Sequence, residues 1–393
     1  MILKNLFRSR NISLLFAAQF LGGMIFFLPV VALYFERELF TLQNVALIYA
    51  ARAIMIVILE VPTGAISDLF GRVMTIRFSF ATFILSIVFL YIGGSMTMFL
   101  IYAFLWAMAV AMESGTDNAF IYDTLKEEGR EREFKRLNGL YRVMWTAGAT
   151  VGSVIGGYMA TVSLEFPIVM TLIPVGLSFF LILGLKEPAY EKEEHRNVLR
   201  QMTESSKVLF GSRNLVILVV IGFLLVGFGE TIHMMKAIFY EFNEVPILYF
   251  GYLAAAGFAL ASLGFYFSHW LSERVNERRF LTVAVATGGG FVLAATLVSE
   301  WWWVAVLMVI PAFFFGLRGP VIDDIVNREV ASSKRATVNS LISFARQLGM
   351  TLVAPFLGYF ADLYSIEMAY QLSGCVMVVG ALLFLFLKEK KSC

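Results

Sequence analysis

Charge is scarce in this sequence. Of 393 residues only 15% are Asp, Glu, Lys or Arg, against about 25% in soluble globular domains, which excludes an ordinary cytosolic enzyme. The formal net charge is only +2 and gathers into no basic stripe, so nucleic acid is not an expected partner. Cysteine is scarcer still. Cys375 and Cys393 are too few for a disulfide framework and are not spaced as a metal-binding pair. The chain carries no Gly-x-x-x-x-Gly-Lys-Ser/Thr loop for ATP, no His-Glu-x-x-His zinc motif and no hydrolytic triad on a soluble domain. An enzyme is not expected, nor is a bound cofactor or metal.

Apolar residues take up the room. They make up 59% of the chain, about 232 residues, enough for about a dozen membrane spans of ~20 residues each. Long apolar runs separated by short charged stretches predict an all-α membrane protein of twelve transmembrane helices, because the bilayer core offers unpaired backbone groups no partner. The runs lie near 12–35, 44–63, 74–93, 97–121, 138–161 and 166–185, then near 213–238, 247–269, 280–298, 301–325, 337–361 and 366–387. The first is too long for a secretory signal peptide and has no small-residue cleavage site. It is expected to stay as a span.

Orientation follows from the basic residues. Of 31 Lys and Arg residues, 25 fall in or at the edge of the N-terminus, the loops after spans 2, 4, 6, 8 and 10, and the C-terminal tail. The opposite loops hold Arg37. Positive loops stay inside, so both termini are expected in the cytoplasm, with Trp301, Trp302 and Trp303 anchoring the tenth span on the outer side.

The longest polar segment, 186–212, divides the chain into six-helix bundles at 1–185 and 213–393 and reads as a cytoplasmic linker. The bundles are related. Shifting by 201 positions aligns 113–161 with 314–362 without a gap, and 11 of the 49 pairs are identical. They include Gly115/Gly316, Asp123/Asp324, Glu128/Glu329, Asn138/Asn339, Gly148/Gly349 and Gly157/Gly358. Matches at Asp, Asn and Glu cannot come from shared hydropathy, so the halves are parallel repeats. In the same alignment Asp117 faces the register of Arg318, which suggests that the halves meet there with opposite signs.

Between spans 2 and 3 runs Gly64-Ala-Ile-Ser-Asp68-Leu-Phe-Gly71-Arg72. Its two glycines permit a tight turn and close helix approach. Asp68 can sit against a helix N-terminus, and Arg72 can pair with an acid such as Asp123. This resembles the G-x-x-x-D-x-x-G-R signature of the major facilitator superfamily (MFS), at the position that family uses. Twelve spans, six-plus-six repeats, inner termini and a central loop agree over the whole chain. It departs at Leu69 and Val73, where members often carry basic residues. The resemblance implies that Asp68, Arg72 and Asp123 latch the cytoplasmic face in one state of an alternating-access cycle, with Gly64 and Gly71 shaping the loop.

Span 5 carries Gly148, Gly152, Gly156 and Gly157, similar to the glycine-rich fifth helix of drug–proton antiporters of the superfamily, although Ser153 stands where those have Pro. Small residues at four-residue spacing also serve close helix packing in any membrane bundle. The arginine that many proton-coupled members place four residues before a glycine in span 4 is absent, Ala111 standing there before Gly115.

An ionisable residue inside a span marks a functional site by default. Glu113 and Asp117 lie one turn apart on one face, and two carboxylates in low dielectric cannot both ionise cheaply, which suits a proton carrier. Alternatively, Arg142 or Arg318 holds Asp117 charged as part of an inner gate. Glu230 and His233 share a face of span 7 and could relay a proton or bind a cationic group. Lys236 is expected to reach toward the outer surface, and Glu60 to join the gate around Arg72. Arg346 near mid-membrane and Arg52 in span 2 each need an acid or an anionic substrate as partner.

The function expected from these residues is secondary transport by alternating access, with a proton gradient as energy source. Export of a small amphipathic molecule or drug is the first reading. A carrier of a small organic anion or metabolite is the second, and a non-transporting receptor on the same scaffold the third. The expected surroundings are the lipid bilayer of the plasma or inner membrane and a small-molecule substrate, with no obligate protein partner indicated.

Overall fold

A computed structural model describes residues 9–189, 206–331 and 334–388. Among them the chain is helical, with no strand, as a membrane-crossing backbone that must satisfy its own hydrogen bonds requires. Among the described residues nine helical runs are long and apolar enough to cross a membrane. The spans expected near 12–35, 138–161 and 280–298 coincide with helices that are interrupted or more polar. Most of the linker expected at 186–212 lies outside the described residues.

The chain divides into two compact units. The first takes the described residues of Met1–Leu39, Ala51–Glu194 and Ile247–Ala255. The second takes those of Phe40–Ala50, His195–Pro246 and Ala256–Cys393. Each unit thus holds the opening segment of a helix that otherwise belongs to the other.

In chain order the first helices are α1 (Arg10–Gly23), α2 (Val31–Leu39), α3 (Leu42–Phe70) and α4 (Arg72–Ile92). They are followed by α5 (Met96–Glu113), α6 (Thr116–Glu127), α7 (Phe134–Ala160) and α8 (Glu165–Leu183). Two expected spans of this unit are interrupted. The first breaks between α1 and α2 around Pro29, and the fourth breaks at Ser114–Gly115, where Gly115 takes a φ of +84°. The inner-loop motif also differs from expectation. The backbone stays helical through Gly64, and Gly71 alone makes the turn, at a φ of +91° that only glycine adopts without strain.

The glycine stripe of α7 packs this unit together. A methyl group at Gly148 would overlap the Phe20 carbonyl oxygen of α1, and one at Gly156 the Phe26 carbonyl oxygen just beyond it. Gly152 lies against Met24 and Ile25, and Gly157 against Gly251. Buried hydroxyls join neighbouring segments: Ser178 donates to the Ala18 carbonyl at 2.6 Å, and Thr171 Oγ1 accepts the Phe26 N–H at 3.0 Å. Buried Phe16, Phe80, Phe120, Tyr141 and Ile182 fill the core beneath.

The second unit contains α9 (Arg213–Leu224), a π-helical segment at Leu225–Glu230, α10 (Thr231–Met234) and α11 (Lys236–Phe242). Then come α12 (Ile247–Ser272), α13 (Glu277–Ala295), α14 (Trp301–Val309), α15 (Pro311–Glu329), α16 (Arg335–Leu363) and α17 (Ile366–Ala381). The repeat is visible in its contacts. Gly349 of α16 meets the Phe223 carbonyl of α9 as Gly148 meets that of Phe20.

A second correspondence closes each unit. In the first, Asn11 Nδ2 donates to the Lys186 carbonyl at 2.9 Å and Lys186 N–H donates to Asn11 Oδ1 at 3.0 Å. In the second, Lys388 N–H donates to Asn214 Oδ1 at 2.7 Å, and Asn214 Nδ2 donates back to the Lys388 carbonyl at 3.4 Å. Each clasp follows a serine, Ser9 or Ser212, whose hydroxyl caps the helix that starts there.

Candidate functional site

The carboxylates of the first unit sit at the break between α5 and α6. Glu113 is the last residue of α5, and Asp117 lies in the first turn of α6. Those positions differ in kind, since helix dipoles favour negative charge at an N-terminus and oppose it at a C-terminus. Asp117 Oδ1 accepts the Asn118 N–H at 2.7 Å, and Arg142 acts on it from α7. Glu113 has no such setting. The buried Tyr141 hydroxyl donates to its Oε1 at 3.3 Å, and the Gln19 side chain of α1 is hydrogen-bonded to it. An alcohol, an amide and a second carboxylate surround it, and these serve a protonated carboxyl as readily as a charged one.

Arg52 stands apart from that pair. Its guanidinium lies 5.6 Å from the Trp106 ring centre and is hydrogen-bonded to Tyr102. Phe27 and Phe83 pack edge-on against Trp106 at 6.1 and 4.9 Å, so a cation–π contact inside an aromatic box supports the charge.

At the expected inner end, Arg72 Nε stands 3.7 Å from Asp123 Oδ2. A residue that sequence reasoning missed completes this corner. Glu187 Oε1 accepts the Arg72 N–H at 2.6 Å, and its Oε2 accepts the Val73 N–H at 2.8 Å. It caps the N-terminus of α4, where a carboxylate is best placed. A side chain at Gly71 would strike that carboxylate. The signal was Glu187 following the last apolar residue of span 6, where it read as linker. Gly64 and Asp68 lie in a stretch of α3 whose side chains are outside those described. Arg142 stands beside Asp117, and Glu60 is exposed.

The second unit gathers cations. The π-helical segment ends on Glu230, and such widened turns often mark functional positions. Glu230 acts electrostatically on His233, Lys236 and Arg318. Lys236 does not reach for the outer surface; its Nζ donates to the Met308 carbonyl near the end of α14 at 3.2 Å. Arg346 of α16 faces Asp323 of α15, and its side chain passes Gly222, where an added methyl group would lie 3.2 Å from Arg346 Cγ. Among the described residues no group of three or more His, Cys, Asp and Glu side chains could hold a metal ion.

Paired half-bundles with ionisable groups at the helix breaks define a polytopic membrane transporter. The family model of the Major Facilitator Superfamily matches residues 12–350 and 234–392, so the chain belongs to that superfamily. It is 21% identical over 371 residues to the MFS-type transporter YxaM of Bacillus subtilis (strain 168), covering 91% of this chain and 89% of that protein. It is 25% identical over 363 residues to the class G tetracycline resistance protein of Vibrio anguillarum, covering 89% and 88%. Among solved structures it resembles the nucleoside transporter NupG, with a TM-score of 0.79, 14% identity and coverage of 95% and 96%. It also resembles a D-xylose–proton symporter, with a TM-score of 0.74, 14% identity and coverage of 97% and 99%. At such identities the structural likeness concerns the fold alone.

Proposed function

We propose that this transporter exports a small amphipathic molecule from the cell in exchange for protons, and that Glu113 carries the proton. The observation that carries this reading is the setting of Glu113. It ends a helix at a glycine joint, four residues before Asp117, among partners that accommodate both of its protonation states. A carboxyl so placed gains and loses a proton without leaving a buried group unserved. Asp117, at its helix N-terminus beside Arg142, sets the local field. Export is supported by the likeness to a tetracycline resistance protein along most of both chains. The protein is assigned to the plasma or inner membrane, with Arg72, Asp123 and Glu187 holding the inner loop in one state of the cycle.

The test is flux in proteoliposomes under an imposed pH gradient, against a mixed panel of cationic and anionic compounds. Glu113→Gln is expected to abolish gradient-driven accumulation while leaving ligand binding. Full pH-driven flux in both Glu113→Gln and Asp117→Asn would overturn the assignment.

A further inference from the structure

Arg318 lies within a helical run, Trp301–Glu329, that is long and apolar enough to span the membrane. The inner end of the span, expected near 325, is seven residues away, roughly 10 Å at 1.5 Å per residue. A helical side chain leans toward the helix N-terminus, here away from that end, so the charge stays within the span. Among the described residues its guanidinium makes no hydrogen bond and no ion pair, and its recorded contact is the Phe315 ring, 5.1 Å away. It is nevertheless only half-buried, so the group is open to a small molecule.

Its neighbours do not balance it. The cations of this cluster are Lys236, Arg318 and Arg346, and the acids are Glu230 and Asp323. Asp323 answers Arg346, and Glu230 is shared between Lys236 and Arg318, which leaves one positive charge over. The repeat sharpens the point. Asp117 occupies the same register in the first half and is served by its own helix N-terminus and Arg142. Arg318 sits in the interior of α15, where no helix end is available. An uncompensated guanidinium within a span is costly, and its planar fork fits a carboxylate with two parallel hydrogen bonds.

We infer that Arg318 receives the carboxylate of the transported molecule, so that the amphipathic substrate is an organic anion whose apolar body lies against the Phe315 side of α15. This rests on the transporter reading above and deepens it by naming the substrate's charge.

The experiment uses the full-length protein in nanodiscs and three probes with one ring system: naphthalene-2-carboxylate, naphthalene-2-carboxamide and naphthalene-2-methylammonium. The parent is expected to bind the carboxylate about tenfold or more tightly than the amide, the worth of one charge-assisted pair. Arg318→Gln should erase that preference. Arg318→Lys, which keeps the charge and loses the fork, should weaken the carboxylate several-fold, and it carries the test if the glutamine variant does not fold. Two results overturn the proposal: a parent without carboxylate preference, whether it binds all three probes alike or none, and parental carboxylate affinity in the variants. Neither touches the proton reading, since Glu113→Gln is judged by gradient-driven flux.

Discussion

The two halves of this transporter share a skeleton and differ in chemistry. In the first, the ionisable groups at the break of α5 and α6 are the carboxylates Glu113 and Asp117, with Arg142 beside them. In the second, Arg318 occupies the register of Asp117, in a cluster of three cations, itself included, and two acids. The contacts that hold each half together have been kept in both copies, down to a glycine against a phenylalanine carbonyl and an asparagine clasping a lysine backbone. Duplicated scaffold and divergent charge imply that packing and local charge vary independently here.

The strongest test of the shared skeleton is steric. A valine at Gly148 or at Gly349 must displace the backbone of Phe20 or Phe223, and overpacking against backbone, which cannot rotate away, should cost about 3 kcal/mol or more. We expect Gly148→Val and Gly349→Val to lower the melting temperature in detergent by similar amounts. A silent Gly349→Val would break the equivalence of the halves.

A smaller effect should distinguish them. The first turn of α4 is held by Glu187, distant in sequence, whereas α13 is capped locally by Asn276, whose Oδ1 accepts the Arg278 N–H at 3.0 Å. Glu187→Ala removes a charged acceptor from two backbone donors and should cost about 2–3 kcal/mol. Asn276→Ala removes one exposed neutral cap and should cost about 1 kcal/mol. Thermal unfolding of the two variants side by side checks the order. Equal losses would mean that Glu187 is an ordinary cap.

Much of this was legible beforehand because hydropathy runs and the 201-residue repeat are properties of composition and order. The interruptions were not. Hydropathy cannot see that Gly115 adopts a left-handed conformation, since an apolar run reads the same whether its helix is continuous or jointed. The π-helical segment at Leu225–Glu230 lies where Gly227 packs on Gly349 and Val353, a contact far away in sequence. Periodicity placed the charged residues on helices, but not their partners. Lys236 therefore read as a surface-seeking lysine, and Glu187 as linker. The clasp did have a signal: Ser-Arg-Asn stands at both 9–11 and 212–214, and Leu-Lys-Glu at both 185–187 and 387–389.

That clasp provides the finest comparison. Asn11 is half-buried and bonds to Lys186 alone among the contacts described, whereas Asn214 is buried and also donates to Glu329 Oε1 at 2.7 Å. The same carboxylate accepts from the Ser212 hydroxyl at 2.8 Å. Glu128 occupies the register of Glu329 in the first half, but there it pairs with Arg130 at 2.7 Å. Asn11→Ala should cost about 1 kcal/mol, the usual net worth of exchanged neutral hydrogen bonds. Asn214→Ala should cost about 2 kcal/mol, because it also strips a bond to a charged acceptor in a buried place. Hydrogen exchange can locate each loss as well as size it: protection should fall at the end of α8 in the first variant and beyond α17 in the second, with the other half unchanged. Loss of protection in both halves from either substitution would show that they do not fold as separate units. Equal and local losses would show that the bond to Glu329 adds nothing, and that the halves are alike in their clasps as well as in their glycines.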